Sequence, residues 1–127
     1  MITINNLHKK FGRRTVLDGI DLDINKKGII AILGPNGSGK TTLIKCLLGM
    51  VIPNSGKIFF NDKSILGEWD YRKDISYMPQ IARFPQNLKV IELLKMIKNL
   101  RSGAIRDAEL ISIFKLEEFL DKKLRST

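Results

Sequence analysis

The sequence has a single cysteine, Cys46, among its 127 residues. That excludes an internal disulfide framework and any zinc site built from cysteine pairs. A small buried apolar group in a reducing compartment is the expectation for it. Long apolar runs are missing too: stretches such as Gly28 to Gly34 fall far short of the roughly 20 residues that cross a bilayer. The opening residues Met1 to Asn6 carry neither a basic nor an apolar leader segment. No low-complexity tract, internal repeat or flexible linker is present. A soluble cytoplasmic protein is expected.

Acidic residues are scarce relative to basic ones, 13 against 22, for a formal charge of +9. Such a balance suits nucleic acid, an anionic membrane surface or anionic small molecules. The excess is spread, with nine basic and three acidic groups in residues 1–60 and thirteen and ten in residues 61–127. It is therefore not a polybasic tail. Hydrophobic residues at 43% and charged residues at 28% are ordinary for a globular chain and exclude a disordered or fibrous one. The length corresponds to one domain or part of a larger one. A chain of this size buries roughly two thirds of its unfolded surface, enough for a core without covalent staples.

Met1 to Leu7 and Val16 to Ile24 alternate apolar and polar residues and read as half-buried strands, separated by a turn over Lys9–Arg14. Ile29–Leu33 is a continuous, β-branched apolar run that fits a strand covered on both faces. Leu43, Ile44, Leu47 and Leu48 then make a helical stripe, and Gly49 stands where a C-terminal cap would end it. Ile58 and Phe60 mark another strand, Asn61–Asp62 a turn, and Ile75–Met78 a short strand halted by Pro79. Beyond Pro85 the pattern is helical: Val90, Ile91, Leu94, Ile97 and Leu100 share a face. Gly103 breaks it, and two further helical patterns follow, Ile105–Leu116 and Glu117–Leu124.

Between the apolar run and the first helix lies Gly34-Pro35-Asn36-Gly37-Ser38-Gly39-Lys40-Thr41, which matches G-x-x-x-x-G-K-[ST]. Glycines let the backbone curl so that successive N–H groups converge on one anion. The helix that starts near Lys40 adds its partial positive charge. Lys40 would reach the β- and γ-phosphates, and Thr41 would offer a hydroxyl to Mg²⁺. By composition alone the pattern recurs in on the order of one chain in 200 of this length. The strand before it and the striped helix after it are the setting the motif requires. A phosphate loop names a ligand class and not yet a function.

In combination, Leu7-His8-Lys9-Lys10-Phe11-Gly12, Val16-Leu17-Asp18-Gly19-Ile20-Asp21-Leu22, the loop with Thr42-Leu43, Pro53-Asn54-Ser55-Gly56-Lys57-Ile58 and Ile75-Ser76-Tyr77-Met78-Pro79-Gln80 resemble the N-terminal part of an ABC transporter ATP-binding subunit. The order and spacing of these blocks cover the chain to about residue 100. The resemblance implies an incomplete α/β P-loop NTPase fold of ABC type. Residues 1–80 would be an antiparallel β-subdomain with the phosphate-loop core, and residues 81–127 the start of a helical subdomain. It further implies an ATPase subunit that couples ATP binding and hydrolysis to membrane transport. Such a subunit would be peripheral at the inner face of the membrane, with a permease and a second ATP-binding subunit as partners and no nucleic acid. A soluble ABC-type ATPase acting on ribosomes or DNA, and a non-catalytic nucleotide-binding module, are the alternatives.

Carried onto this sequence, the resemblance makes Phe11 the aromatic that stacks on adenine, with Val16 beside base and ribose. Gly34, Asn36, Gly37, Ser38, Gly39, Lys40, Thr41 and Thr42 hold the phosphates. Gln80 is the glutamine that contacts Mg²⁺ together with Thr41, and Lys40 and Gln80 are the catalytic candidates. Ile81–Pro85 falls where transporter subunits dock, and Met78–Pro85 is similar to exporter-type subunits, including those that accompany copper delivery to nitrous-oxide reductase. Where the family usually has Leu-Thr-Val, this chain has Leu88-Lys89-Val90 after Asn87, so Asn87 is expected to cap the helix. The family's Ser-Gly-Gly signature, its apolar strand ending in Asp-Glu and its switch histidine are not in the sequence. Arg101–Ala104 reads as a helix-ending turn and His8 as a surface residue. The chain stops almost where the signature would begin, which suggests a truncated polypeptide that binds nucleotide without efficient hydrolysis.

Overall fold

The alternating residues of the first 24 positions fold into a hairpin, β1 (Ile2–Phe11) and β2 (Arg14–Ile24), with Gly12 and Arg13 as its only turn residues. The turn is tighter than the Lys9–Arg14 region expected from sequence, because β1 keeps pairing out to Phe11↔Arg14. The computed structural model describes residues 1–80, 84–100 and 107–124, which divide into two units, Met1–Ser76 and Tyr77–Thr127.

In the first unit β1 also pairs antiparallel with β3 (Ser55–Phe60), and β3 with β4 (Lys63–Ser64), giving the order β2-β1-β3-β4. Asn61 and Asp62, at φ 49° and 63°, make the left-handed two-residue turn that a tight hairpin needs. Helix α1 (Lys40–Leu47) presents Leu43 and Cys46 to a core formed with Ile4, Leu7, Leu17, Ile58, Ile65 and Tyr71. Gly49 ends the helix in the expected place: it is left-handed at φ 64°, its N–H bonds Cys46 O at 3.0 Å, and Met50 N–H bonds Lys45 O at 2.8 Å. This pair of bonds is a Schellman cap.

Two expected strands are not formed. Ile29–Leu33 is coil, with Ile29 and Leu33 102% and 89% exposed. A strand exists only through ladder bonds to a neighbour, and none of the strands described in this unit lies alongside the run. Ile75–Met78 is likewise outside any strand. His8, expected at the surface, is partly buried in a polar network. Its Nε2 lies 2.9 Å from Asn6 Oδ1, its Nδ1 accepts the Gly19 N–H at 3.2 Å, and Asp18 Oδ1 is 3.1 Å from the same nitrogen.

The second unit holds α2 (Val90–Leu100) and α3 (Asp107–Ile113), followed by a single 3₁₀ turn over Glu117–Phe119 where a third helix was expected. The free N–H groups at the start of α2 are satisfied from the end of the chain: Val90 N–H donates to Lys122 O at 3.1 Å and Ile91 N–H to Leu120 O at 2.9 Å. Glu92 reaches back to the Lys89 N–H at 2.8 Å, so this carboxylate, rather than Asn87, closes the helix start. Lys98 and Asp107 pair at 3.2 Å between α2 and α3. The lysine's hydrogen bond is the main reason the Asp107 carboxyl titrates below its ordinary value. Residues 81–83 of the docking run Ile81–Pro85, and the whole turn at Arg101–Ala104, lie outside the described residues. Among the described residues no helix is long and apolar enough to cross a membrane.

Candidate nucleotide-phosphate site

The loop between Gly34 and Lys40 is built to leave backbone donors open. The first bond of α1 is Leu43 N–H to Gly39 O at 2.8 Å, so the N–H groups of Lys40, Thr41 and Thr42 have no acceptor within the helix. Gly39, the residue at the cap position, has no side chain with which to take one up. An uncapped helix start with convergent N–H groups is a physical fit for an anion.

Gly39 is fixed by its surroundings. It is left-handed at φ 93°, and a β-carbon on it would come within 2.7 Å of the Val16 carbonyl oxygen and 3.0 Å of Leu17 Cδ2. The loop thus docks directly on β2, and Val16 is held against the start of α1. Lys40 Nζ donates to the carbonyls of Gly34 and Pro35, both at 2.7 Å. The ammonium is folded over the loop as a mobile point charge, anchored by two neutral acceptors that an anionic phosphate would outcompete. Ser38 N–H turns inward to Pro35 O at 3.3 Å, and Ser38 Oγ lies 2.9 Å from where a Gly34 β-carbon would be. Asn36 and Thr41 are exposed, and Thr42 is partly buried.

Phe11 stands at the end of β1, 51% exposed, with Lys9 Nζ 4.9 Å from its ring centre. It is not a core aromatic. Lys9 is itself held by a 2.7 Å bond to Ile52 O. Opposite Phe11 in the ladder is Arg14, whose Nη2 lies 3.4 Å from where a β-carbon on Gly37 would sit. The structure therefore joins the loop, Val16 and the Phe11 end of the hairpin in one unit. Gln80 is exposed behind Pro79 in the second unit. Among the described residues no three His, Cys, Asp or Glu converge on a metal position. The metal-facing candidates are a hydroxyl and an amide. Cys46 is fully buried, and that burial raises its thiol above the ordinary value against a smaller opposing pull from Lys9.

The sequence model of the ABC transporter family matches residues 17–127. The chain belongs to the ABC transporter family. It is 32% identical over 120 residues to the sulfate/thiosulfate import ATP-binding protein CysA of Bradyrhizobium diazoefficiens, covering 94% of this chain and 35% of that protein. It is 52% identical over 65 residues to the L-cystine import ATP-binding protein TcyC of Bacillus subtilis, covering 51% of this chain and 26% of that protein. A solved ATP-binding subunit of an ABC transporter superposes with a TM-score of 0.82 at 23% identity, over 97% of this chain and 54% of that one. This likeness fixes the ABC fold, and the chain spans only part of the length of each of these proteins. Arg14 lies beside the loop although the motif does not mark it. The short Phe11-Gly12-Arg13-Arg14 spacing was its only trace in the sequence, since a two-residue turn sets positions 11 and 14 side by side.

Proposed function

We propose that this chain is the ATP-binding part of an ABC transporter ATPase subunit, in which nucleotide binding and hydrolysis drive transport by a membrane permease. The observation that carries this reading is the loop itself, with its uncapped α1 start and Lys40 bent over the Gly34 and Pro35 carbonyls. In this reading Gly34, Asn36, Gly37, Ser38, Gly39, Lys40, Thr41 and Thr42 hold the phosphates, and Phe11 and Val16 hold the base and ribose. Thr41 and Gln80 are the Mg²⁺-facing groups. Bound Mg²⁺ would neutralise charge on the β- and γ-phosphates. Residues 1–80 form the nucleotide core, and residues 81–127 begin the helical subdomain that faces the permease. A second ATP-binding subunit completes the site, and the assembly is peripheral at the inner face of the membrane. CysA and TcyC are themselves import ATP-binding proteins, which supports the same division of labour here.

Lys40→Ala is the test. The residue opens a helix and does not contribute to the core, so the variant should fold with an unchanged melting temperature. It should lose affinity for ATP and ADP by roughly 10-fold or more, the range of charge-assisted hydrogen bonds of about 1.5–3 kcal/mol. Titration with a fluorescent nucleotide measures it, and equal affinity in the two proteins would remove the phosphate assignment.

A further inference from the structure

Arg14 is exposed at the first position of β2, and its side chain has neither a carboxylate nor a hydrogen-bond partner among the described residues. Elsewhere Lys89 and Lys98 are paired with acids. Its Nη2 instead points at the crest of the phosphate loop, 3.4 Å from the position of a Gly37 β-carbon. On the other side of the ladder, Phe11 is its register partner. The guanidinium therefore lies beside the backbone proposed for the phosphates, on the strand paired with the one that carries the aromatic proposed for the base.

We propose that Arg14 is a further nucleotide-binding residue, which donates from its guanidinium to a phosphate oxygen of the bound nucleotide. This rests on the function proposed above. Three features carry it. Gly37 is left-handed at φ 83° and bears no side chain, so at this point the loop puts none between its backbone and the guanidinium. The two-residue turn fixes the position of Arg14 through the Phe11↔Arg14 pair. A planar guanidinium offers a fork of donors matched to phosphate oxygens, and lacking any competing acid it loses little on engaging them. Lys40 reaches the loop from the Gly34–Pro35 side. The two cations then hold the phosphate chain from different points on the loop.

The experiment is a titration of the 127-residue chain and its Arg14→Gln, Arg14→Lys and Arg13→Gln variants with adenosine, AMP, ADP and ATP at two salt concentrations. Arg14→Gln should weaken ATP and ADP by roughly 5- to 30-fold, the scale of one charge-assisted bond at a partly solvated site. It should leave adenosine unchanged, and Arg14→Lys should recover part of the loss. Arg13→Gln, one residue away in the turn, should match the parent once salt has screened its long-range charge. The shortest nucleotide that feels Arg14→Gln identifies the phosphate contacted. Equal loss with Arg13→Gln, loss that extends to adenosine, or no loss with ATP would each overturn the proposal. If the parent chain binds no nucleotide at all, the proposed function fails with it. If the parent binds and Lys40→Ala weakens it while Arg14→Gln does not, only the role of Arg14 fails.

Discussion

Phe11 occupies a position that no packing requirement explains: half its surface is open and no core residue depends on its ring. If it is the platform for adenine, Phe11→Ala should weaken ATP binding by about 1–3 kcal/mol, or roughly 5- to 150-fold. The melting temperature should barely move. Isothermal titration beside a thermal scan separates the two, and unchanged affinity would place the base elsewhere. At this scale the sequence was informative where chemistry is local in the chain. Gly34 to Thr42 are contiguous, and their spacing alone implied the open N–H groups found at the start of α1. Arg14 escaped because its nearness to Gly37 is a tertiary contact between the hairpin and a later loop, which no alternation pattern encodes. The network of His8 with Asn6, Gly19 and Asp18 escaped because it bridges two strands where bulges between Ile4 and Lys10 shift the register.

The end of α1 shows how an element is fixed from outside itself. Arg72 Nη2 donates to the Gly49 carbonyl at 2.8 Å. A β-carbon on Gly49 would lie 2.5 Å from Arg72 Nη2 and 2.6 Å from Tyr71 Oη. Gly49→Ala must therefore adopt a left-handed conformation, at about 1–2 kcal/mol, and also displace the two side chains that clamp the turn. The expected result is a fall in melting temperature of more than about 5 °C, given roughly 4–8 °C per kcal/mol in a domain of this size. Gly67→Ala is the comparison, because Gly67 is also left-handed, at φ 86°, with nothing within 4 Å of a new β-carbon. If both substitutions lower the transition equally, the clamp contributes nothing. The helix and its glycine stop were legible from the stripe of Leu43, Ile44 and Leu47, and α2 matched its apolar face from Val90 to Leu100. The start of α2 was not legible as it stands. Its caps come from Glu92 and from backbone carbonyls about thirty residues later in the chain, at Leu120 and Lys122, and only tertiary structure brings the latter there.

For the whole molecule, the run Ile29–Leu33 is where composition and structure part. Its continuous β-branched sequence is that of a strand covered on both faces, yet Ile29 and Leu33 are almost wholly solvated and the run joins none of the strands of its unit. The residues carry the pattern of a buried strand, but a strand is a property of a pair, and none of the described strands lies beside the run. An exposed apolar segment with unpaired N–H and C=O groups is a template for pairing with another chain. These 127 residues in isolation are therefore expected to self-associate as concentration rises. Multi-angle light scattering across a concentration series should report masses above that of one chain. Replacing Ile30 and Ile32 together by lysine should return the monomer, since charge on an edge blocks strand addition. Neither residue belongs to the core cluster, so this double variant should keep the thermal transition of the β2-β1-β3-β4 sheet. A monodisperse parent chain at every concentration would defeat the claim, and so would a double variant that associates as strongly as the parent, because the contact would then lie elsewhere on the surface.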